Sequence, residues 1–191
     1  GSAAAFSASH DAFGNMLAMP GLNEMKWGVF GNLHRTSADD AAHADNTFYV
    51  YDAAGQRVRK VTEKWDRSLD THVRTSDTLY LGGFELVRTW TGTAGEILDD
   101  EIETLHVMDA DARLAIVETQ TVEAGTAEPQ LAKWRYQLDD LIGSSAVELG
   151  RDGQVISYEE FHAYGTTALL IDTGGEGFRK RYRWSGKERD A

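Results

Sequence analysis

The sequence contains no cysteine, which excludes a disulfide framework, thiolate catalysis and thiolate-ligated metal. Proline is nearly as scarce, with Pro20 and Pro129 its two occurrences. No apolar run approaches the roughly 20 residues that a membrane-spanning helix needs. Helical periodicity is almost missing, because the stretch Ala41-Ala42-His43-Ala44 is too short to indicate a helix. These absences leave a globular chain with little helix and no membrane span.

Positive charge is also scarce. The 191 residues carry 19 Lys and Arg against 31 Asp and Glu, a formal net charge of −12. Duplex nucleic acid is therefore not an expected partner, since phosphate contacts need a basic face. The exception is local, and we expect its cations to cover the polar face of an exposed strand or terminal segment. These cations are Arg179, Lys180, Arg181, Arg183, Lys187 and Arg189.

The domain organisation is simple. Apolar residues make up 41% and charged residues 26%, the balance of an ordinary globular domain. Gly1-Ser2 resembles the scar of a cleaved expression tag, so residues 1–10 are interpreted as a tag remnant and flexible N-terminus. Residues 11–191 are predicted to form a single β-sheet module. Connectors between its hairpins are expected at 37–46, 123–130 and 171–177.

The most informative feature that is present is a short turn unit that recurs along the chain. An Asp or Gly is followed three residues later by Gly, with β-formers on both sides. Asp at the first position folds its carboxylate back onto backbone N–H groups, and Gly supplies a positive φ at the fourth. The unit is clearest in Tyr49–Val58 and looser at 92–96. Asp52 and Gly55 define this clearest copy, and the residues that define the weaker ones are Asp11 and Gly14, Gly31, Asp109, and Asp152 and Gly153.

Strand patterns surround these turns. Alternating or β-branched stretches predict strands at 47–51, 57–65, 78–81, 84–90, 101–108, 114–122, 133–138, 145–149, 154–161 and 178–184. The predicted fold class is therefore all-β, with repeated antiparallel hairpins forming a curved strip of sheet. A chain built of such units is expected to be architectural rather than catalytic.

Four segments carry a resemblance to one family. Tyr49–Val58 resembles the tyrosine-aspartate (YD) repeat of RHS proteins. The segments 134–145, 147–165 and 182–190 resemble, in the family's own order, the RHS-associated core, which ends in Gly-Lys-Glu-Arg-Asp. The core signature residues are Gly143, Ser144, Tyr158, Gly165, Gly186, Lys187, Glu188, Arg189 and Asp190. Together these motifs cover most of residues 11–190.

The resemblance implies a strip of antiparallel sheet that winds spirally into a hollow shell. In bacterial toxin complexes and polymorphic toxins such shells enclose a C-terminal toxic segment, and related shells occur in animal teneurins. The chain would then be a non-catalytic shell segment that encapsulates or presents a toxin or effector region outside it. Its partners would be the remainder of its own shell or the toxin cargo, with self-association through sheet edges, and its location would be secreted or extracellular.

The chain departs from the family pattern in three places. Residues 140–143 lack the usual His, and residues 162–165 lack the usual Pro. The sequence ends one residue after Asp190, before the family's Asp-Pro self-cleavage motif. The family's aspartate autoprotease therefore has no residues here to carry it. Either the chain is an excised piece, or it belongs to a divergent member whose core has lost that chemistry.

Two rival functions stay open at this stage. A binding module for carbohydrate or protein would use Trp90 and Trp134 as stacking surfaces, although tryptophans in sheets are more often core. A hydrolase would use a dispersed acidic site around Asp99, Asp100, Glu101 and Glu103. Adjacent residues on a strand point to opposite faces, which disfavours such a pair of carboxylates.

No catalytic residue, metal or cofactor is predicted. Calcium could use Asp39-Asp40 with Asp45, or Asp109 with Asp111, but neither group has the spacing of a known calcium loop. The six histidines lack the paired spacing of zinc ligands. The run Gly174-Gly175-Glu176-Gly177 lacks the Lys-Ser/Thr and the following helix of a phosphate loop.

Overall fold

The computed structural model describes residues 9–19, 21–38, 43–110, 112–127, 129–140, 142–163, 165–173, 180–183 and 187–188. Across these residues the secondary structure consists of twelve strands without a helix. The strands are β1 Glu24–Trp27, β2 Leu33–Ser37, β3 Asn46–Tyr51, β4 Arg57–Asp66, β5 Thr71–Leu81, β6 Phe84–Thr91, β7 Ile97–Asp109, β8 Ala112–Val122, β9 Lys133–Asp139, β10 Ser145–Leu149, β11 Val155–Phe161 and β12 Thr167–Asp172.

The strands form one sheet in which each strand lies beside its neighbours in the chain, in the order β1 to β12. The pairings are antiparallel, as expected of strands joined by short hairpins. Register shifts interrupt several of them, for example between Val50 and Tyr51 and between Thr62 and Glu63. Each such bulge increases the local twist of a strand. The predicted all-β class and its hairpin-by-hairpin arrangement are confirmed.

Some strand boundaries differ from the prediction. β1, β2 and β12 were not predicted, and the last two residues of β12 lie where the connector 171–177 was expected. The prediction of a strand at 178–184 is wrong for residues 180–183. These residues form no strand, and Tyr182 makes an isolated bridge to Glu188. Their contacts with the sheet, described below, are made mainly by side chains.

The chain divides into two compact units. Unit 1 contains residues up to 102 together with 121–128, and unit 2 contains 103–120 together with residues from 129 onward. The boundary passes through β7 and β8, which contribute residues to both units. His10, in the predicted flexible N-terminus, forms a bridge with Met16. The single module at 11–191 and the tag remnant at 1–10 stay predictions.

Buried side chains are mostly polar in both units. In unit 2, Ala115 and Ile116 are buried beside Glu118, Arg135 and Glu148. Large apolar side chains such as Leu138 and Ile171 are about half exposed. Among the described residues, no helix has the length and apolar character to cross a bilayer. The buried polar face of unit 2 and the hairpin tips are therefore the candidate functional features of the chain.

Candidate functional site: hairpin tips and a buried charge network

Six hairpin tips share one backbone geometry. The N–H of the first residue donates to the carbonyl of the fifth, and the N–H of the fourth donates to the carbonyl of the first. The fourth residue is glycine in every case, with φ between 75° and 85°. Only glycine adopts this region without strain. The tips span 11–15, 28–32, 52–56, 140–144, 150–154 and 162–166.

Aspartate at the first position reinforces the tip. Asp52 Oδ1 accepts from the N–H groups of Ala54 at 2.9 Å and Gln56 at 2.8 Å. Asp11 and Asp140 make the same two bonds in their own tips. The side chain and backbone N–H of Asn15, with further backbone donors, keep the pKa of Asp11 below its usual range. Three different tips are thus closed by the same carboxylate contact.

The remaining predicted turn residues occupy different positions. Asp152 is the third residue of its tip and accepts from the N–H of Gln154 at 3.1 Å. Asp109 ends β7, and the turn after it places Ala110 at a φ of 51°. Gly153 and Gly31 are the fourth residues of their tips.

Gly143 and Gly165 were predicted as core signature residues, and the structure shows that both also belong to the repeated turn. Both are fourth residues of a tip, at φ values of 75° and 82°. The tip at Gly143 has the Asp-x-x-Gly pattern, because Asp140 is its first residue. The tip at Gly165 lacks this pattern, because its first residue is His162.

The other signature residues are dispersed. Ser144 is the fifth residue of its tip and is fully buried, and the Tyr158 hydroxyl donates to Glu160 at 2.7 Å. Glu188 lies 3.8 Å from Arg181, and Lys187 accepts from the N–H of Arg183 through its carbonyl. Gly186, Arg189 and Asp190 lie outside the described residues.

Replacing Asp52 with alanine is expected to lower the free energy of unfolding by about 1 kcal/mol, because two backbone N–H groups lose their acceptor. Asp52→Asn retains an acceptor oxygen and should cost less than about 0.5 kcal/mol. Urea unfolding of both variants measures the difference. Equal losses for alanine and asparagine would mean that the charge, not the acceptor oxygen, stabilises the tip.

Two members of the acidic cluster at 99–103, Asp100 and Glu101, bond to residues of neighbouring segments. Glu101 accepts from Arg88 Nε at 2.7 Å and from the Thr121 hydroxyl at 2.7 Å. Asp100 Oδ1 accepts from the N–H of Ala124 at 3.3 Å. Burial raises the pKa of Glu101, but the hydrogen bonds from Thr121 and Arg88 and the charge of Arg88 outweigh it and lower the pKa.

The contribution of Glu101 to stability should depend on pH. Its folded-state pKa lies below the ordinary value of 4.5, so the contribution is complete above that value and is lost as pH falls through the folded-state pKa. Glu101→Gln should therefore cost about 1 kcal/mol at pH 7 and progressively less towards pH 3. Urea unfolding of both chains across this range measures the gap. A gap that widens in acid would contradict the assignment.

The two tryptophans proposed as stacking surfaces differ. The Arg74 guanidinium covers one face of Trp90, 4.0 Å from the ring centroid. Trp134 lies beside Tyr136, with ring centroids 6.2 Å apart, and Tyr136 is 40% exposed. Of the two, Trp134 is the better placed to meet a ligand.

A network of buried ion pairs crosses unit 2. Arg135 Nη2 donates to Glu118, and Arg135 Nη1 lies 3.7 Å from Glu148. Glu148 also accepts from Gln137 at 2.9 Å and from Ser157 at 2.8 Å. These five side chains come from four consecutive strands, β8 to β11, and all are buried. Burying a carboxylate is costly unless it is paired and hydrogen-bonded, and here both conditions are met.

The network continues around Glu159, whose side chain has no exposed surface. Arg183 Nη1 donates to Glu159 at 2.8 Å, and the Thr167 hydroxyl donates to it at 2.6 Å. Lys180 Nζ lies 3.4 Å from Glu159 Oε2 and donates to the Ser145 carbonyl at 2.5 Å. Burial lowers the pKa of Lys180, and the carboxylates of Glu148 and Glu159 offset this only in part.

We call residues Lys180–Arg183 the strap, because they lie against this buried face. Arg181 donates to the Thr104 hydroxyl at 3.1 Å and lies 3.9 Å from Glu118. The Tyr182 ring is buried between the Arg113 guanidinium, 3.9 Å from its centroid, and the edge-on His106 ring at 4.9 Å. The expectation that these basic residues lie on a solvated face is therefore wrong for Lys180, which is 6% exposed.

The fold and its tips define a repetitive antiparallel β-sheet protein, although no family model matches the chain. Its relatives are toxin subunits. The chain is 35% identical over 178 residues to toxin subunit YenC1 of Yersinia entomophaga, covering 91% of this chain and 17% of the relative. It is 32% identical over 149 residues to toxin subunit YenC2 of the same organism, covering 77% and 14%.

Solved structures of toxin proteins are also similar to the chain. A crystal structure of TcdB2-TccC3 matches with a TM-score of 0.73 at 32% identity, over 95% of this chain and 8% of that one. The Photorhabdus luminescens Tc holotoxin pore matches with a TM-score of 0.75, 32% identity and the same coverage. The chain is thus homologous to a part of Tc toxin subunits, and it spans less than a fifth of each relative's length.

Proposed function

We propose that the chain is a wall segment of an RHS/YD-repeat shell in a Tc toxin subunit, and that its work is structural rather than catalytic. One observation carries the proposal: the same Gly-closed tip joins consecutive strands at five places along a single sheet, and the relatives of the chain are toxin subunits. Such a tip adds one more antiparallel strand each time it is used. The sheet can thus be extended without limit by repetition.

Exposed side chains at the end of the sheet support a place within a larger wall. β12 is an edge strand, and its Leu169, Leu170 and Ile171 are between 42% and 51% exposed. Unprotected apolar edge strands tend to pair with further strands. The partners proposed are the remainder of the same shell and a toxin segment that it encloses or presents. A secreted or extracellular location follows from that role.

Four of the acidic side chains, Asp100, Glu101, Glu148 and Glu159, favour a structural role. Glu101 is engaged by Arg88 and Thr121, and Asp100 by the backbone of Ala124. Glu159 and Glu148 lie in ion pairs under the strap. A carboxylate that works as a general acid or base must reach its substrate, and these side chains bond to the protein instead.

A chimaera tests the proposal. Residues 9–188 of this chain would replace the matching segment of YenC1, and limited proteolysis would follow the C-terminal region of the purified chimaera. We expect that region to be as resistant to protease as in unaltered YenC1, because the wall is restored. A soluble, folded chimaera whose C-terminal region is digested many times faster would overturn the shell assignment.

A carbohydrate-binding role is the second candidate, favoured by the exposed Tyr136 beside the partly buried Trp134. On a glycan array, Trp134→Ala should abolish any signal that the unaltered chain gives. Trp90→Ala is the matched control, because Arg74 already covers that ring. A signal that survives Trp134→Ala would exclude this surface as a glycan site.

A further inference from the structure

We propose that the buried acidic face of unit 2 is a docking site for an extended basic segment, which the chain's own strap fills and the strap of a second copy can fill in its place. We define the acidic face as Glu118, Glu148 and Glu159, on β8, β10 and β11. Each is at most 3% exposed.

The charges of the two surfaces complement each other. Within the sheet, Arg135 is the cation that pairs with Glu118 and Glu148. One positive charge beside three glutamates leaves the acidic face with an excess of negative charge. The strap brings Lys180, Arg181 and Arg183, and Arg181 also pairs with Glu188. Counted with Arg135, the acidic face has a formal charge of −2, and the strap counted with Glu188 has a formal charge of +2. Without the strap, the acidic face would keep this excess of negative charge and would be open to another basic segment.

The site recognises a pattern of side chains and not only charge. Lys180 donates to the backbone carbonyl of Ser145, and the N–H of Ser145 donates to the carbonyl of Arg183 at 3.1 Å. The aromatic ring of Tyr182 fits between Arg113 and His106. The occupant is therefore an extended Lys-Arg-aromatic-Arg segment. A second copy of this chain carries that segment by identity.

The fit of the strap is incomplete. Gln137 Oε1 and Ser145 Oγ are buried without a hydrogen bond within the part of the chain that the structure describes. Each such atom weakens the docked state by its lost solvation.

A labelled peptide with the sequence of residues 178–190 tests the site by fluorescence anisotropy. We expect it to bind the full chain carrying Lys180→Gln and Arg183→Gln at least tenfold more tightly than the unaltered chain, because the variant's own strap competes less. Arg151→Gln with Lys187→Gln is the control of equal charge, and it should bind like the unaltered chain. A peptide with glutamine at positions 180 and 183 should not bind.

Two results would overturn the site: no gain in affinity for a folded strap variant, or equal binding of the glutamine peptide. If the strap variant does not fold, hydrogen exchange of the unaltered chain decides. Millimolar peptide should then accelerate exchange at 180–183, and unchanged exchange would overturn the proposal. Sedimentation equilibrium tests whether the strap of one copy docks on another copy. A dimer fraction that rises with protein concentration supports this docking. A chain that stays monomeric and still binds the peptide contradicts it.

Discussion

Glu159→Gln is expected to lower the free energy of unfolding by about 3–5 kcal/mol, the loss typical of a broken buried ion pair. The side chain of Glu159 has no exposed surface, and it pairs with Arg183 at 2.8 Å and Lys180 at 3.4 Å. A neutral amide would leave both cations in place with their carboxylate gone. Urea unfolding at 25 °C and pH 7 measures the loss.

Glu160→Gln is the matched control, one residue further along β11. Glu160 is exposed and accepts a hydrogen bond from the Tyr158 hydroxyl, which an amide oxygen can also accept. Its change should cost less than about 0.5 kcal/mol. If the two glutamine variants are equally stable, the buried network does not contribute as the structure implies.

Gly95→Ala should cost about 3 kcal/mol, since it combines backbone strain with a clash. Gly95 lies at a φ of 63° in the turn before β7. A Cβ there would stand 2.5 Å from the Arg74 carbonyl oxygen and 2.7 Å from Val73 Cγ1. The contact with backbone cannot be relieved by turning a side chain, so the strand itself must move.

Gly82→Ala separates the two effects. Gly82 has a similar φ of 66°, but a Cβ there meets nothing within 4 Å. Its replacement should cost only the left-handed strain, about 1 kcal/mol. Urea unfolding of both variants gives the comparison. A Gly82 variant as unstable as the Gly95 variant would show that φ alone matters and that the close approach of Arg74 does not.

The hairpin tips could be predicted from sequence because their determinants are local. Asp52 and Gly55 lie within the same five residues that their hydrogen bonds join. Asp140 and Gly143 follow the same rule, so this tip was equally readable. The tip at 162–166 was harder, since His162 replaces the aspartate and only Gly165 retains the signal.

The buried network could not be predicted in this way. Alternation on β11 places Ser157 and Glu159 on one face, but it does not say whether that face meets water. Lys180 and Arg183 bury Glu159 from more than twenty residues further along the chain. A row of Glu, Arg, Gln and Ser on neighbouring strands looks like a solvated face until the strap is in place.

Strand β12 was also not predicted from the sequence. Its Leu169, Leu170 and Ile171 are exposed, so the strand lacks the burial on one face that would have made its pattern informative. In the proposed shell these side chains would meet the next part of the wall.

The most direct test of the shell assignment is a cryo-EM structure of the YenC1 chimaera that carries residues 9–188. The account predicts that β1 and β12 each pair with a strand of YenC1, so that the twelve strands continue one wall. It also predicts that the six tips keep their glycines at positive φ. The account would be contradicted if the segment folded as a separate domain with β1 and β12 unpaired with YenC1.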